Sequence, residues 1–170
     1  MLHQSRNIPD PFDFARRQLA LDGRLDARDL PRLAQVVRGE GQSQPVQYAL
    51  VGRQQDDKLF IEVTVSAELV LECQRCLEDK RETVTAQTSL LLVPEGEEMP
   101  DDELEVDDYD AIRAGHDFDV LDAVEEELLL ALPLAPTHAG CKTPAAQENG
   151  GERSPFAQLA ALKAKGSRES

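Results

Sequence analysis

At every second position from residue 59 to residue 73 the chain is apolar: Leu59, Ile61, Val63, Val65, Ala67, Leu69, Leu71 and Cys73. Between them stand mostly polar residues, Glu62, Thr64, Ser66, Glu68 and Glu72. Successive side chains of a strand leave opposite faces, so this period of two predicts a half-buried β-strand and excludes a helix. Its length predicts strong twist or a bulge near Ser66 and Ala67. Residues 74–80 hold polar turn residues, after which Val84, Ala86, Thr88, Leu90 and Leu92 resume the alternation until Pro94. Two such strands joined by a short polar link form an antiparallel hairpin, over about residues 59–93. Residues 46–54 read as a further strand.

Helical signals flank this sheet. Asp10 and Pro11 suit a cap and a first helical position, with Phe12, Ala15 and Leu19 on one face and Gly23 as the stop. A second helix is expected from Asp26, or from Asp29 because Pro31 interrupts it, with Leu30, Leu33, Ala34 and Val37 as its stripe. A Leu-rich helix is expected over about residues 120–132, capped by Asp117 or Asp119 and stopped by Pro133. Leu121, Val124 and Leu128 form its buried stripe, while Glu125, Glu126 and Glu127 begin its wet side. Ser154 and Pro155 open a short C-terminal helix. The fold class is α+β, with an antiparallel sheet between N-terminal helices and the Leu-rich helix. Residues 1–142 are expected to form one domain, with an acidic loop at 95–110, a linker at 143–153 and a helical tail at 154–170.

Charge narrows the function. The 170 residues carry a net charge of −15. Residues 1–38 and 152–170 are each at +2, so the centre holds −19, including ten acids and no Lys or Arg at 95–110. This disfavours a broad phosphate-coating protein, DNA as a partner and an anionic membrane surface. No apolar run is long enough to span a bilayer, and residues 1–10 lack an apolar signal core, which points to the cytoplasm. Small cationic islands remain at Arg16 and Arg17, Arg75, and Lys80 and Arg81 as candidate RNA or partner contacts.

Three cysteines in a reducing compartment suit thiols or metal ligands better than disulfides. Cys73 and Cys76 form a C-x-x-C where a strand enters a turn, and His138 and Cys141 form an H-x-x-C after the Leu-rich helix. Together they make a four-ligand set of the structural zinc type, closed to substrate. The competing reading is that Cys73 packs as a small apolar residue and the others are incidental. A thiol redox pair is disfavoured, because such pairs sit at helix N-termini whereas this one follows a strand beside Glu72 and Glu78. There is no G-x-S-x-G, P-loop or G-x-G-x-x-G motif, so no catalytic residue is assigned and no enzyme activity is expected.

Four motifs carry a resemblance. They are RRQLALDGRL at 16–25, LECQRC at 71–76, EEELLLALPLAPTH at 125–138 followed by Cys141, and SPFAQLAALK at 154–163. In this order and spacing the chain resembles the YceD family, the large ribosomal RNA subunit accumulation proteins of bacteria and plastids. The resemblance implies a non-enzymatic cytoplasmic ribosome-biogenesis factor that supports synthesis, processing or stability of large-subunit ribosomal RNA. Some relatives carry a fuller cysteine set after the ALP helix, where this chain has His138 and Cys141. The implied partners are large-subunit ribosomal RNA or its assembly intermediates. An acidic holder of a basic ribosomal protein is the alternative that the charge distribution allows.

Overall fold

The computed structural model describes residues 7–99 and 109–141. Most of the expected acidic loop, the linker and the C-terminal helix lie outside the described residues. In chain order the elements are β1 (Asn7–Ile8), α1 (Pro11–Arg16), β2 (Ala20–Asp26), β3 (Pro45–Gln55), β4 (Lys58–Glu72), β5 (Asp79–Pro94), β6 (Asp110–Ala114), β7 (Phe118–Asp119) and α2 (Val120–Ala131). Five strands form one sheet in the order β2-β3-β4-β5-β6, antiparallel except for the parallel β5–β6 pair. Strands β1 and β7 form a separate two-stranded pair.

The long hairpin is the spine. Strand β4 pairs with β3 from Ala67 to Lys58 and with β5 from Phe60 to Glu72, in unbroken register. The expected bulge at Ser66 and Ala67 is absent, because β3 and β5 flank β4 there and each residue finds an opposite number. Ile61, Val63, Val65, Ala67, Leu69 and Leu71 all point to one face and are buried. Against them pack Val46, Tyr48 and Leu50 of β3, Val120, Val124 and Leu128 of α2, and Leu30 and Leu33. Each fully buried side chain of this size contributes about 1.5–3 kcal/mol. The opposite face carries a smaller apolar group, Phe60, Leu91 and Val93 with Tyr109.

The N-terminal half departs from the expected pair of helices. Asp10 does cap α1 by accepting from the Asp13 amide, but α1 ends at Arg16, and residues 20–26 form an edge strand. Gly23 is therefore not a helix stop. It pairs with Tyr48, and a Cβ there would lie 2.3 Å from the tyrosine oxygen, so its lack of a side chain leaves room for the ring. The expected second helix is two short 3₁₀ turns, Ala27–Asp29 and Leu33–Gln35. Pro31 lies between them and can supply no amide to a continuous helix.

Helix α1 lies across β3 at Gly52, where an added Cβ would sit 2.4 Å from the Phe14 carbonyl oxygen and 2.8 Å from Ala15 Cα. Those are backbone atoms, which cannot swing aside. Gly52→Ala is expected to destabilise by about 2 kcal/mol through overpacking, read by denaturant unfolding. An unchanged midpoint would mean that α1 does not press on β3 in solution.

Helix α2 carries the main surprise about charge. Asp119 caps it by accepting from the amides of Leu121 and Asp122. The expected wet run is not uniformly wet: Glu125 is 4% exposed and Glu127 8%. At 100° per residue Glu127 lies about 20° from the buried Val120, so helical geometry places it at the edge of the inward face. Glu125 is drawn in by donors. Its carboxylate accepts from the amides of Arg32 (2.6 Å) and Leu33 (2.9 Å) and from Arg32 Nε (2.9 Å).

Candidate metal centre

The strand period that builds the core also builds the site. Cys73 follows Glu72 on the core-facing phase of β4 and is fully buried. The chain then turns sharply: the Leu77 amide donates to the Cys73 carbonyl (2.9 Å) and the Cys73 amide donates to the Glu78 carbonyl (2.9 Å). Leu77 adopts φ 64, a left-handed conformation that non-glycine residues rarely take. That turn brings the Cys76 thiol back over Cys73, and Glu72 pairs with Asp79 to close the hairpin.

The other half arrives from α2. Leu132 leaves the helix with ψ 138, ahead of Pro133, and the following segment runs to the hairpin tip. The Gln74 amide donates to the Pro136 carbonyl (2.8 Å), and Arg75 Nη1 donates to the Cys141 carbonyl (3.0 Å). The His138 amide donates to Cys73 Sγ at 3.4 Å. These bonds hold the two segments together at the backbone before any ligand is considered.

The result is a tight quartet. Cys73 Sγ lies 3.6 Å from Cys141 Sγ, and Cys76 Sγ lies 3.4 Å from His138 Nδ1. The four ligand atoms are all within 4.8 Å of one another. Bonds of about 2.3 Å to sulfur and about 2.0 Å to nitrogen, at tetrahedral angles, require edges of about 3.8 Å between sulfurs and about 3.5 Å between sulfur and nitrogen. These two separations lie close to those edges, and all three cysteines are free thiols. Residues Cys73, Cys76, His138 and Cys141 could thus hold a metal ion as they stand.

Local electrostatics already favour a thiolate. Burial pushes the Cys73 thiol up, but the amides of Cys76, Arg75 and His138, with the Cys76 thiol, outweigh it and bring it down to about 5. Cys76 shifts the other way. The Glu78 amide lowers it, yet burial and the neighbouring Cys73 and Cys141 sulfurs raise it further. A cation at the centre of the quartet would remove that sulfur–sulfur repulsion.

Arg38 was not among the expected site residues, yet it buttresses the knuckle. It forms an ion pair with Glu72, lies 4.0 Å from Asp79, and donates to the Leu77 carbonyl at 3.3 Å. Its amide donates to the Val70 carbonyl, and the buried Gln44 side chain accepts from the Val70 amide. A lone arginine after an apolar pair gives no sequence signal for this role.

The five cationic candidates do not share one patch. Arg75, Lys80 and Arg81 stand at the knuckle; Lys80 pairs with Glu82 and Arg81 donates to Gln42. Arg16 lines a hollow with Asp57 and Lys58 at the opposite end of β4, and Arg17 is paired with Asp13 on α1. Fifteen residues of strand, on the order of 45 Å, separate the two groups.

The fold and the quartet define a class: a small α+β protein whose central hairpin ends in a three-cysteine, one-histidine knuckle. The family model described as "Large ribosomal RNA subunit accumulation protein YceD" matches residues 61–163. The chain is also 32% identical over 169 residues to a Haemophilus influenzae protein of that same name, covering 92% of this chain and 94% of the relative. The chain belongs to the YceD family. No solved structure matches it. The family name ties the chain to accumulation of large-subunit ribosomal RNA. Among the described residues, no helix is long and apolar enough to cross a membrane.

Proposed function

We propose that this chain is a non-enzymatic, cytoplasmic ribosome-biogenesis factor that supports synthesis, processing or stability of large-subunit ribosomal RNA. The observation that carries the reading is the match to one family over nearly the whole chain. The quartet at the hairpin tip is a structural zinc centre in this reading. Three thiolates and one imidazole fill a tetrahedral ion, leaving no open position for substrate. The protein therefore acts by binding, presenting surfaces that the zinc holds in place. Arg38, Arg75, Lys80 and Arg81 at the knuckle are its local cations and the preferred place for phosphate contact.

Depletion is expected to lower large-subunit RNA relative to small-subunit RNA and to deplete large subunits in sucrose gradients. Normal RNA ratios and normal gradients after depletion would defeat the reading. A second reading, a holder of a basic ribosomal protein, is favoured by the six carboxylates that line the hollow between β6 and α2. Pull-downs of the native protein, with and without nuclease, separate the two modes: a nuclease-resistant protein partner supports the second, and a nuclease-sensitive complex supports direct RNA contact.

A further inference from the structure

We propose that strand β2 pairs antiparallel with β2 of a second copy of this chain, centred on Gly23, and joins the two sheets edge to edge.

Strand β2 ends the five-stranded sheet, and among the described residues no strand lies against its outer side. The ladder to β3 fixes which backbone groups face outward. The Gly52 amide donates to the Leu19 carbonyl at one end (2.8 Å), and the Ala27 amide donates to the Gln44 carbonyl at the other (2.9 Å), with unbroken register between them. Antiparallel bonding alternates by residue, so Leu21, Gly23 and Leu25 bond to β3, while Ala20, Asp22 and Arg24 turn their amides and carbonyls to the outer edge. Such a row is a template for another strand. No proline or bulge interrupts it.

The strand is complementary to itself. In antiparallel pairing about Gly23, Asp22 faces the second copy's Arg24, and these outward-turned residues form the hydrogen-bonded pairs. Leu21 faces the second copy's Leu25 on the core side, where each is half-buried. Both contacts occur twice by symmetry. Centring the pair one residue away, on Asp22 or on Arg24, would instead set like charges face to face, which is destabilising.

Tyr48 is an independent sign that this edge is incomplete. It is 4% exposed, and its hydroxyl is, among the described residues, the one buried side-chain oxygen or nitrogen without a hydrogen-bond partner. Burying a hydroxyl in that state is costly. The ring lies over Gly23, with its oxygen 2.3 Å from where a Cβ would stand. Opposed Cβ sites of paired strands are about 5 Å apart, so a two-fold axis through the Gly23 pair brings the two hydroxyls side by side, and one can donate to the other.

Charge also selects this edge. The other edge, β6, borders the hollow lined by six carboxylates, which would repel a second copy. Strand β2 belongs instead to residues 1–38, which carry +2. In physiological salt the distant acid is screened beyond about 8 Å, while charges directly opposite are not.

The test is sedimentation equilibrium of the full-length, metal-loaded protein. Contact along one strand is small, so a dimer with a Kd on the order of tens of micromolar is expected. Asp22→Arg and Arg24→Asp should each weaken it about tenfold, by turning two attractions into two repulsions. Mixing the two single variants should restore association, because each then meets its opposite charge. Tyr48→Phe should weaken the dimer about fivefold. Far-UV dichroism checks that the variants fold. Hydrogen exchange in the unaltered protein is a second measurement that needs no variant: the Asp22 amide should slow as concentration rises through the Kd. A protein monomeric at about 0.5 mM, a dimer indifferent to both charge reversals or to Tyr48→Phe, a mixture that fails to associate, or Asp22 exchange independent of concentration would each overturn the pairing.

Discussion

Purified without chelators, the protein is expected to carry one zinc ion per chain, and stripping that ion should be the most damaging single perturbation. The ion would bridge two segments that have no disulfide between them. Mass action sets the scale: a ligand held at a thousandfold above its dissociation constant contributes about 4 kcal/mol to stability. For a chain this size that is roughly 10 °C in Tm. The damage should also be local. The sheet core is built from Ile61, Val63, Val65 and their partners without any ligand, whereas the segment after α2 relies on a few backbone bonds such as Gln74 to Pro136. Chelation should therefore raise hydrogen exchange at Gln74 and His138 while amides of β3 and the middle of β4 stay protected. Cys141→Ser should reproduce both effects, whereas His138→Cys in the parent should keep most of the stability because the tetrahedron accepts sulfur there. Metal affinity should fall with acid, since each thiolate and the imidazole must shed a proton to bind. Metal-free protein as purified, with melting insensitive to chelator and to Cys141→Ser, would remove zinc from the account.

What could be read from the sequence followed from periodicity. The hairpin strands declared themselves because their burial alternates, and the C-x-x-C stood out because Cys73 falls in phase with that alternation. The pairing of Cys73 with Cys141, 68 residues away, was legible as ligand chemistry alone. What was hidden depends on partners distant in sequence. Strand β2 looks like a helix continuation because Leu21 and Leu25, four residues apart, fit either period, and only pairing with β3 decides it. Strand β6 is five residues long and parallel to β5, so it lacks the turn that would mark a hairpin. Leu77 would have been clearer as glycine, the residue its left-handed turn favours. Arg38 and Glu125 were missed for a shared reason: a charged residue looks like surface until the backbone donors or carboxylates that claim it are in place. In both cases the claimant is a break in regular structure. Arg38 serves the tip of the hairpin, and Glu125 serves the turn that replaces a helix at Leu33.

Glu125→Ala is the second substitution expected to have a large effect, about 3 kcal/mol of lost stability at pH 7. The carboxylate stands in for the missing helical acceptors at the start of the Leu33–Gln35 turn, taking the amides of Arg32 and Leu33 together with Arg32 Nε. Alanine leaves the Leu33 amide buried without an acceptor, and desolvation of such a donor costs about 1–3 kcal/mol before the lost charge-assisted bonds are added. Burial acts to raise the Glu125 carboxyl, but the Leu33 amide, the Arg32 side chain and the Arg32 amide outweigh it and hold it below the usual value of 4.5. A depressed folded value means that the unfolded chain takes up the proton first. The contribution is therefore complete above about pH 4.5 and is lost as pH falls through and below that range. Urea unfolding at pH 7 and at pH 3 should show the gap between parent and Glu125→Ala narrowing in acid. Glu125→Gln, which keeps one acceptor oxygen but no charge, should fall between them at pH 7. Arg32→Ala should cost less than Glu125→Ala, because the arginine side chain is 47% exposed and water replaces its partner, while both amides keep the carboxylate. Equal stability of parent and Glu125→Ala at neutral pH would mean that the glutamate does not hold this turn, and that Leu30 and Leu33 seat themselves in the core without it.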